Sequence, residues 1–387
     1  MSSVEKHLPF PYSYADWKQR AKQAIDREAF TYVASGAGSE QTMKANEEAF
    51  NRWRLLPQVL TDVTHRDMSV SLWGQAMATP FLLAPIGMQG IVHPDGELAS
   101  ARAAKALGVP FIASTVSTFT LEQIASELGA SPHWFQLYWS NDMDVTKSLV
   151  QRAEAAGYSA IVITVDTALL GWRERDLSTG YSPLKLGMGS ANFFHDPVFR
   201  EKLTKPPEVD RKAALEHLLN IVFHPGLTWG DLASLREITP LPILLKGVLH
   251  PDDASLALDC GVDGLIVSNH GGRQLDGAVA ALDALQPVCD IVQNRIPVLF
   301  DSGVRRGPDV IKAIAMGADA VLLGRPYIYG LAAGGEAGVR HVLQHLISDI
   351  DVSLALTGKR TIRELNRSVI VKSNAHDTGP VSQPDVS

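Results

Sequence analysis

The chain has 387 residues, 45% of them apolar and 20% charged, which is the composition of a folded globular protein and not of a disordered one. A net charge of −7 supplies no basic face for phosphates, so a nucleic-acid partner is excluded. No window approaches ~20 uninterrupted apolar residues, and the first residues carry Glu5, Lys6 and His7, so neither a membrane span nor an ordinary signal peptide is expected. Cys260 and Cys289 lie in segments of helical pattern without CxxC spacing and are expected as buried thiols of a cytoplasmic protein.

In chain order, residues 1–80 read as a helical N-terminal cap that ends in a hairpin-like stretch near Val70–Trp73. Eight short apolar runs then recur, predicting strands at Phe81–Pro85, Phe111–Thr115, Trp134–Trp139, Ala160–Asp166, Pro242–Val248, Gly264–Asn269, Pro297–Ser302 and Ala320–Arg325. Between them lie helical patterns at Glu97–Leu107, Leu121–Leu128, Val145–Ala156, Asp252–Asp259, Ala281–Gln293 and Asp309–Met316. Runs of Val, Ile and Leu on both faces suit a parallel sheet covered by helices. Strict βα alternation over 81–358 therefore predicts an α/β fold, a closed (β/α)8 TIM barrel, with an open doubly wound sheet as the alternative. Residues 177–227, after the fourth strand, read as a polar loop of roughly 50 residues, far beyond a normal βα connection, and are expected to act as a lid. Residues 373–387 read as a frayed tail.

Barrel sites form at the C-terminal strand ends, and polar residues gather at six of them. The third strand ends in Gln136 and Tyr138 and the fourth in Thr164 and Asp166, each pair on one face. The fifth presents Lys246, and the sixth runs into Ser268-Asn269-His270-Gly271-Gly272-Arg273. The seventh ends in Asp301-Ser302-Gly303-Val304-Arg305 and the eighth in Gly324-Arg325. Gly303 and Gly324 let backbone N–H groups approach a phosphate, and Arg305 and Arg325 neutralise it. Gly36-Ala37-Gly38 lacks a third glycine and a preceding strand, so it is no dinucleotide fingerprint. His341 and His345 stand four apart on a helix, as metal ligands can, but no third ligand is near in sequence. They are expected as solvated residues, with no metal site.

The run Ser268-Asn269-His270-Gly271-Gly272-Arg273-Gln274 closely resembles the signature of the FMN-dependent 2-hydroxy-acid oxidising family, which includes glycolate oxidase, lactate oxidase and lactate 2-monooxygenase. The resemblance extends through Tyr32-Val33-Ala34-Ser35-Gly36, Ala84-Pro85-Ile86-Gly87, Phe135-Gln136-Leu137-Tyr138, Thr164-Val165-Asp166-Thr167, Lys246-Gly247 and Gly324-Arg325-Pro326. It implies FMN as cofactor, His270 as the base and Asp166 as its orienting carboxylate. It further implies Arg173 and Arg273 as a clamp on the substrate carboxylate, with hydrogen bonds from Tyr32 and Tyr138. Lys246 would face the flavin N1 side. Gln136, Thr164, Ser114 and Ser268 would bond the isoalloxazine edge or ribityl chain, and the Pro85-Ile86-Gly87 backbone would pass the reactive flavin face. Asp301, Gly303, Arg305, Gly324 and Arg325 complete the expected cofactor contacts.

Within the family, the absence of CxxCH and the roughly 80 residues before the barrel leave no comfortable place for a haem domain. The segment Glu201–Pro207 is no apolar anchor, which leaves molecular oxygen as the expected oxidant. Gly87 stands where oxidases of the family usually have Ala, and Gly171-Trp172-Arg173-Glu174-Arg175-Asp176 with its long loop resembles the monooxygenase. Met88-Gln89-Gly90 and His93-Pro94-Asp95-Gly96 look more like the oxidases, so both outcomes stay open, with L-lactate favoured as substrate. Glycolate or a larger hydroxy acid, a non-redox FMN barrel such as an isomerase, and a catalytically dead binding barrel are the alternatives. The resemblance also suggests a homotetramer or an octamer.

Overall fold

In the computed structural model, which describes residues 10–373, all eight expected strands form and close on themselves. They are β1 (Phe81–Leu83), β2 (Phe111–Ser114), β3 (His133–Leu137), β4 (Ile161–Thr164), β5 (Ile243–Val248), β6 (Gly264–Val267), β7 (Val298–Phe300) and β8 (Ala320–Leu323). Each pairs in parallel with its sequence neighbours, and β8 pairs with β1, which selects the barrel over the open sheet. Only half-buried Gly247 interrupts their complete burial. Interior side chains pack on one another while the helices cover the outside, so Leu, Ile and Val serve on both faces.

Seven strands stop one or two residues before the apolar runs do. Asp166, Asn269, Ser302 and Arg325 lie past the ladder, where the chain turns aside to build the mouth of the barrel. The outer helices start where their sequences say: Thr120 and Gln123 form a reciprocal capping box at Leu121–Leu128. The helix Arg325–Leu356 bends at Gly334 and Gly335, whose backbone angles are non-helical.

The cap consists of helices Tyr14–Ala24, Arg27–Ala34 and Gln41–Asn51, then the hairpin Val70–Leu72 with Gln75–Met77. The strand Trp53–Leu55 pairs antiparallel with Ile370–Lys372, a closure too short to leave a periodic signal. The expected frayed tail lies outside the described residues except for Ser373, whose N–H donates to the Arg52 carbonyl at 2.8 Å.

The expected loop over 177–227 is instead largely folded. It carries helices Ala191–Phe194, Pro197–Glu201 and Arg211–Ile221, and Glu174–Thr179 opens it. Phe193, Phe199, Leu218 and Val222 are fully buried. Two buried polar residues pin the insert to the barrel. Asn192 accepts from the Leu121 N–H at 2.7 Å and donates to the Thr115 carbonyl at 2.9 Å. Asp196 accepts from Ser148 Oγ at 2.7 Å and from Arg152 at 2.9 Å.

Two smaller expectations also fail. Cys260 is exposed because it ends the helix Pro251–Asp259, and Cys289 is only partly buried. His341 and His345 are only partly exposed: their rings lie 4.2 Å apart, and His345 packs on Tyr12 at 4.1 Å. Among the described residues no group of three or more His, Cys, Asp or Glu is placed to hold a metal, and no helix is long and apolar enough to cross a membrane.

Candidate active site

The C-terminal strand ends open into a cavity of about 490 Å³, within the range of small-molecule and cofactor sites. Asp166 follows β4 and His270 follows β6, and His270 Nδ1 lies 2.9 Å from Asp166 Oδ1. The turn that aims His270 is left-handed at three consecutive residues, His270 (φ 58°), Gly271 (φ 63°) and Gly272 (φ 74°). Glycine adopts this freely, whereas a histidine is strained by about 1–3 kcal/mol. Hydroxyls hold the strained turn: Ser268 Oγ accepts from the His270 N–H at 3.0 Å, and Ser302 Oγ from the Gly271 N–H at 3.0 Å. On the other side, Gly247 forms a bulge in β5, and a Cβ there would fall 2.6 Å from Asp166 Cβ. Only glycine lets the carboxylate pack so closely.

With Nδ1 facing Asp166, Nε2 is the nitrogen left to meet a substrate. Burial pushes the His270 imidazole below its ordinary range, against the upward pull of Asp166. Burial alone would raise the Asp166 carboxyl, but His270 beside it, with Lys246 further off, holds it below the usual carboxylate range. The pair is thus a neutral base backed by a carboxylate.

Three residues beyond His270 the cavity becomes cationic. Arg273 Nη1 donates to the carbonyls of Tyr32 and Ser35, each at 2.7 Å. Arg173 Nε donates to the Arg273 carbonyl at 3.0 Å. Both guanidiniums face the Tyr32 ring, 4.9 Å from its centre for Arg273 and 5.9 Å for Arg173. Burial and the Arg173 charge press the Arg273 ionisation down to about 9. Asp176 Oδ2, 3.9 Å from Arg173 Nη1, offsets one of these two buried charges, and the other calls for an anion that a substrate carboxylate supplies. Burial raises the Tyr138 phenol, and Asp166 raises it further, so it stays a neutral donor.

Across the cavity, Lys246 Nζ lies 3.1 Å from Asp301 Oδ2 and 3.0 Å from Ser268 Oγ. Burial opposes its charge, but Asp301 and Asp166 outweigh that and hold it as an ammonium. Ser114, Gln136 and Thr164 form a ladder across β2, β3 and β4: Ser114 Oγ donates to Gln136 Oε1 and Gln136 Nε2 to Thr164 Oγ1, both at 3.0 Å. These three and Ser268 sit one layer beneath the cavity lining, whereas Pro85, Ile86 and Gly87 form part of its wall.

At the far end Gly303, Arg305, Gly324 and Arg325 line the cavity as expected. Gly303 has φ 95°, and a Cβ there would meet the Asn46 carbonyl at 2.6 Å. Arg305 stacks on Tyr14 at 4.4 Å and pairs with Glu47 at 2.9 Å, while its Nε is buried without a partner. That orphaned N–H, beside the start of the Arg325–Leu356 helix, fits a phosphate oxygen. Arg325 differs from expectation in that its nitrogens are already engaged by the carbonyls of Val33, Gly271 and Ser35. It contributes a fixed positive charge and ties the cap to the barrel.

Gly87 does not leave the open space that its place beside the flavin suggests. A Cβ there would lie 2.4 Å from the Val116 carbonyl oxygen. Gly189 of the insert meets the same carbonyl, at 2.6 Å for its own Cβ position, and the Met88 N–H donates to it at 2.9 Å. Gly87 is therefore a packing requirement where the insert seats on the barrel. Thr167, Ser302 and Gln274 are site residues that stand in the quoted motifs without an expected role. Thr167 Oγ1 donates to Asp166 Oδ1 at 3.0 Å, Ser302 Oγ to Asp301 Oδ1 at 2.7 Å, and Gln274 Nε2 to the Asp166 carbonyl at 2.8 Å. Each adjoins a predicted residue, and that adjacency was the available signal.

Residues 21–372 match the family model described as FMN-dependent dehydrogenase. An L-lactate oxidase of Lysinibacillus sphaericus is 46% identical over 374 residues, covering 97% of this chain and 96% of its own. A peroxisomal (S)-2-hydroxyacid oxidase of Arabidopsis thaliana is 42% identical over 359 residues, covering 93% of this chain and 96% of its own. The crystal structure of mandelate oxidase with (S)-4-hydroxymandelic acid has a TM-score of 0.83 at 38% identity, covering 92% of this chain and 98% of that one. The chain belongs to the FMN-dependent 2-hydroxy-acid oxidising family and is a flavoprotein oxidoreductase with FMN as its cofactor.

Proposed function

We propose that this protein oxidises a small L-2-hydroxy acid, L-lactate first among them, with dioxygen as the terminal acceptor. The observation that carries this reading is a single cavity in which the His270–Asp166 pair faces two guanidiniums, Arg173 and Arg273, stacked about one tyrosine. Arg173 and Arg273 bind the substrate carboxylate, and Tyr32 and Tyr138 bond its oxygens. That fixes the hydroxyl carbon within reach of His270 Nε2, which takes the hydroxyl proton while the carbon-bound hydrogen leaves with its electron pair. Asp166 stabilises the imidazolium so formed. Bound FMN supplies the acceptor for that electron pair. Asp301 and Ser268 keep Lys246 placed to offset the negative charge that accumulates nearby.

The seating of the insert favours retention of the keto acid. Tyr181, Leu184 and Lys185 of the insert line the cavity, and Gly189 docks against Val116. Pyruvate held beside newly formed hydrogen peroxide is decarboxylated to acetate, carbon dioxide and water. Turnover of L-lactate under air with catalase present, followed by NMR, tests this. A substantial share of acetate is expected. Pyruvate alone means that the acid leaves first, and no product means that lactate is not the substrate.

A further inference from the structure

A second cavity, of about 270 Å³, lies behind the catalytic one beside the ends of β4 and β5. Tyr138, Thr167 and Phe223 line both, so a single layer of side chains divides them. Tyr138 and Phe223 meet edge to face with ring centres 5.6 Å apart, and Thr167 contacts the catalytic carboxylate. Much of the remaining wall is apolar, contributed by Trp139, Val222, Leu227, Leu232, Leu245 and Val248. Among the described residues no lysine or arginine borders this chamber; Asp253 does, and so does His224, whose Nδ1 is buried without a partner.

That lining sorts molecules by charge. A hydroxy-acid anion entering here would lose hydration, find no lysine or arginine as counter-ion and meet a carboxylate, whereas a small neutral apolar molecule loses almost nothing. The organic acids therefore belong to the main cavity with Arg173 and Arg273, and the chamber suits a gas. Exposed Val165 and Thr228 border it and give it a route to solvent.

We propose that this chamber is a side entrance that delivers dioxygen past Tyr138 and Phe223 while the keto acid still fills the main cavity. The proposal rests on the reading that dioxygen is the acceptor and that the acid is retained: a retained acid under the insert obstructs the broad mouth, and the gas then needs another path.

Leu227, half-buried and away from the catalytic residues, offers the handle. Leu227→Trp fills the chamber and Leu227→Ala enlarges it. Xenon-pressurised crystals of the holoenzyme are expected to show xenon in the chamber for wild type and Leu227→Ala and none for Leu227→Trp. In stopped-flow, anaerobic reduction by L-lactate should be unchanged in all three. Reoxidation by dioxygen of the reduced enzyme with pyruvate bound should slow several-fold in Leu227→Trp alone. A wild-type chamber that takes no xenon, or a Leu227→Trp enzyme that excludes xenon yet reoxidises at the wild-type rate, overturns the side entrance and leaves the oxidase reading standing. A wild-type enzyme that lactate reduces but dioxygen fails to reoxidise overturns both.

Discussion

His270 is useful only because its neighbours make an unfavourable backbone conformation tolerable and a buried imidazole basic. The neutral ring is the active base, so the reductive rate rises with pH through the His270 ionisation, and burial sets that limb below the ordinary imidazole value of about 6.5. Asp166 pulls the other way. Asp166→Asn should therefore move the limb to lower pH and lower the plateau by about 10²-fold or more, since the imidazolium loses its counter-charge. A pH series of flavin reduction rates checks this, and a limb that moves upward contradicts it. At the clamp, Arg273→Lys should weaken lactate binding more than Lys246→Arg does, because only the guanidinium of Arg273 offers a planar carboxylate contact. Apparent dissociation constants from stopped-flow titration give the ranking, and the reverse order would place the carboxylate elsewhere. His270, Asp166 and Arg273 were legible because they interrupt apolar strands or glycine-rich turns, where a charged residue has no packing role, whereas Arg173 came only from the family resemblance. The partners that hold them, such as Ser302 and Thr167, were not, because a small hydroxyl next to a strand end looks the same whether or not it bonds anything.

At the scale of elements, buried strands announce themselves by composition, and all eight were found. Their ends were overextended, since Val165 and Asp166 continue the run in sequence while the ladder stops at Thr164. The insert was misread for a different reason. Helices of four or five residues, such as Ala191–Phe194 and Pro197–Glu201, are too short to show a 3.6-residue period. Asn192 is one of the two buried polar residues that pin this insert to the barrel. Asn192→Ala leaves several buried groups unpaired and should lower unfolding stability by about 1–3 kcal/mol, measured by denaturant titration of the holoenzyme. An unchanged midpoint would mean that the insert docks through its aromatic residues alone. Gly87→Ala pushes on the Val116 carbonyl and through it on Gly189, so it should loosen the seat and shift products from acetate toward pyruvate and peroxide. Product ratios by NMR under air decide, and an unchanged ratio would separate Gly87 from product retention.

The whole molecule draws one site from three parts of the chain. The cap supplies Tyr32 and the carbonyls of Tyr32, Val33 and Ser35 that orient Arg273 and Arg325; the barrel supplies His270, Asp166 and Lys246; the segment leading into the insert supplies Arg173. Asp276 fastens the cap by accepting from the N–H groups of Ser39 at 2.8 Å and Thr42 at 3.0 Å. This convergence came into the sequence analysis only through the family resemblance: by spacing alone Tyr32 and Arg273 are remote, and the topology brings them together. Anaerobic mixing of L-lactate with the FMN-loaded protein tests the central claim most directly, comparing wild type with His270→Gln at matched FMN content. Wild-type flavin should bleach rapidly, and the variant, still holding FMN, should bleach more slowly by ~10²–10⁴-fold. A wild type that lactate and other small 2-hydroxy acids leave yellow, or a His270→Gln variant that bleaches at the wild-type rate, would contradict it.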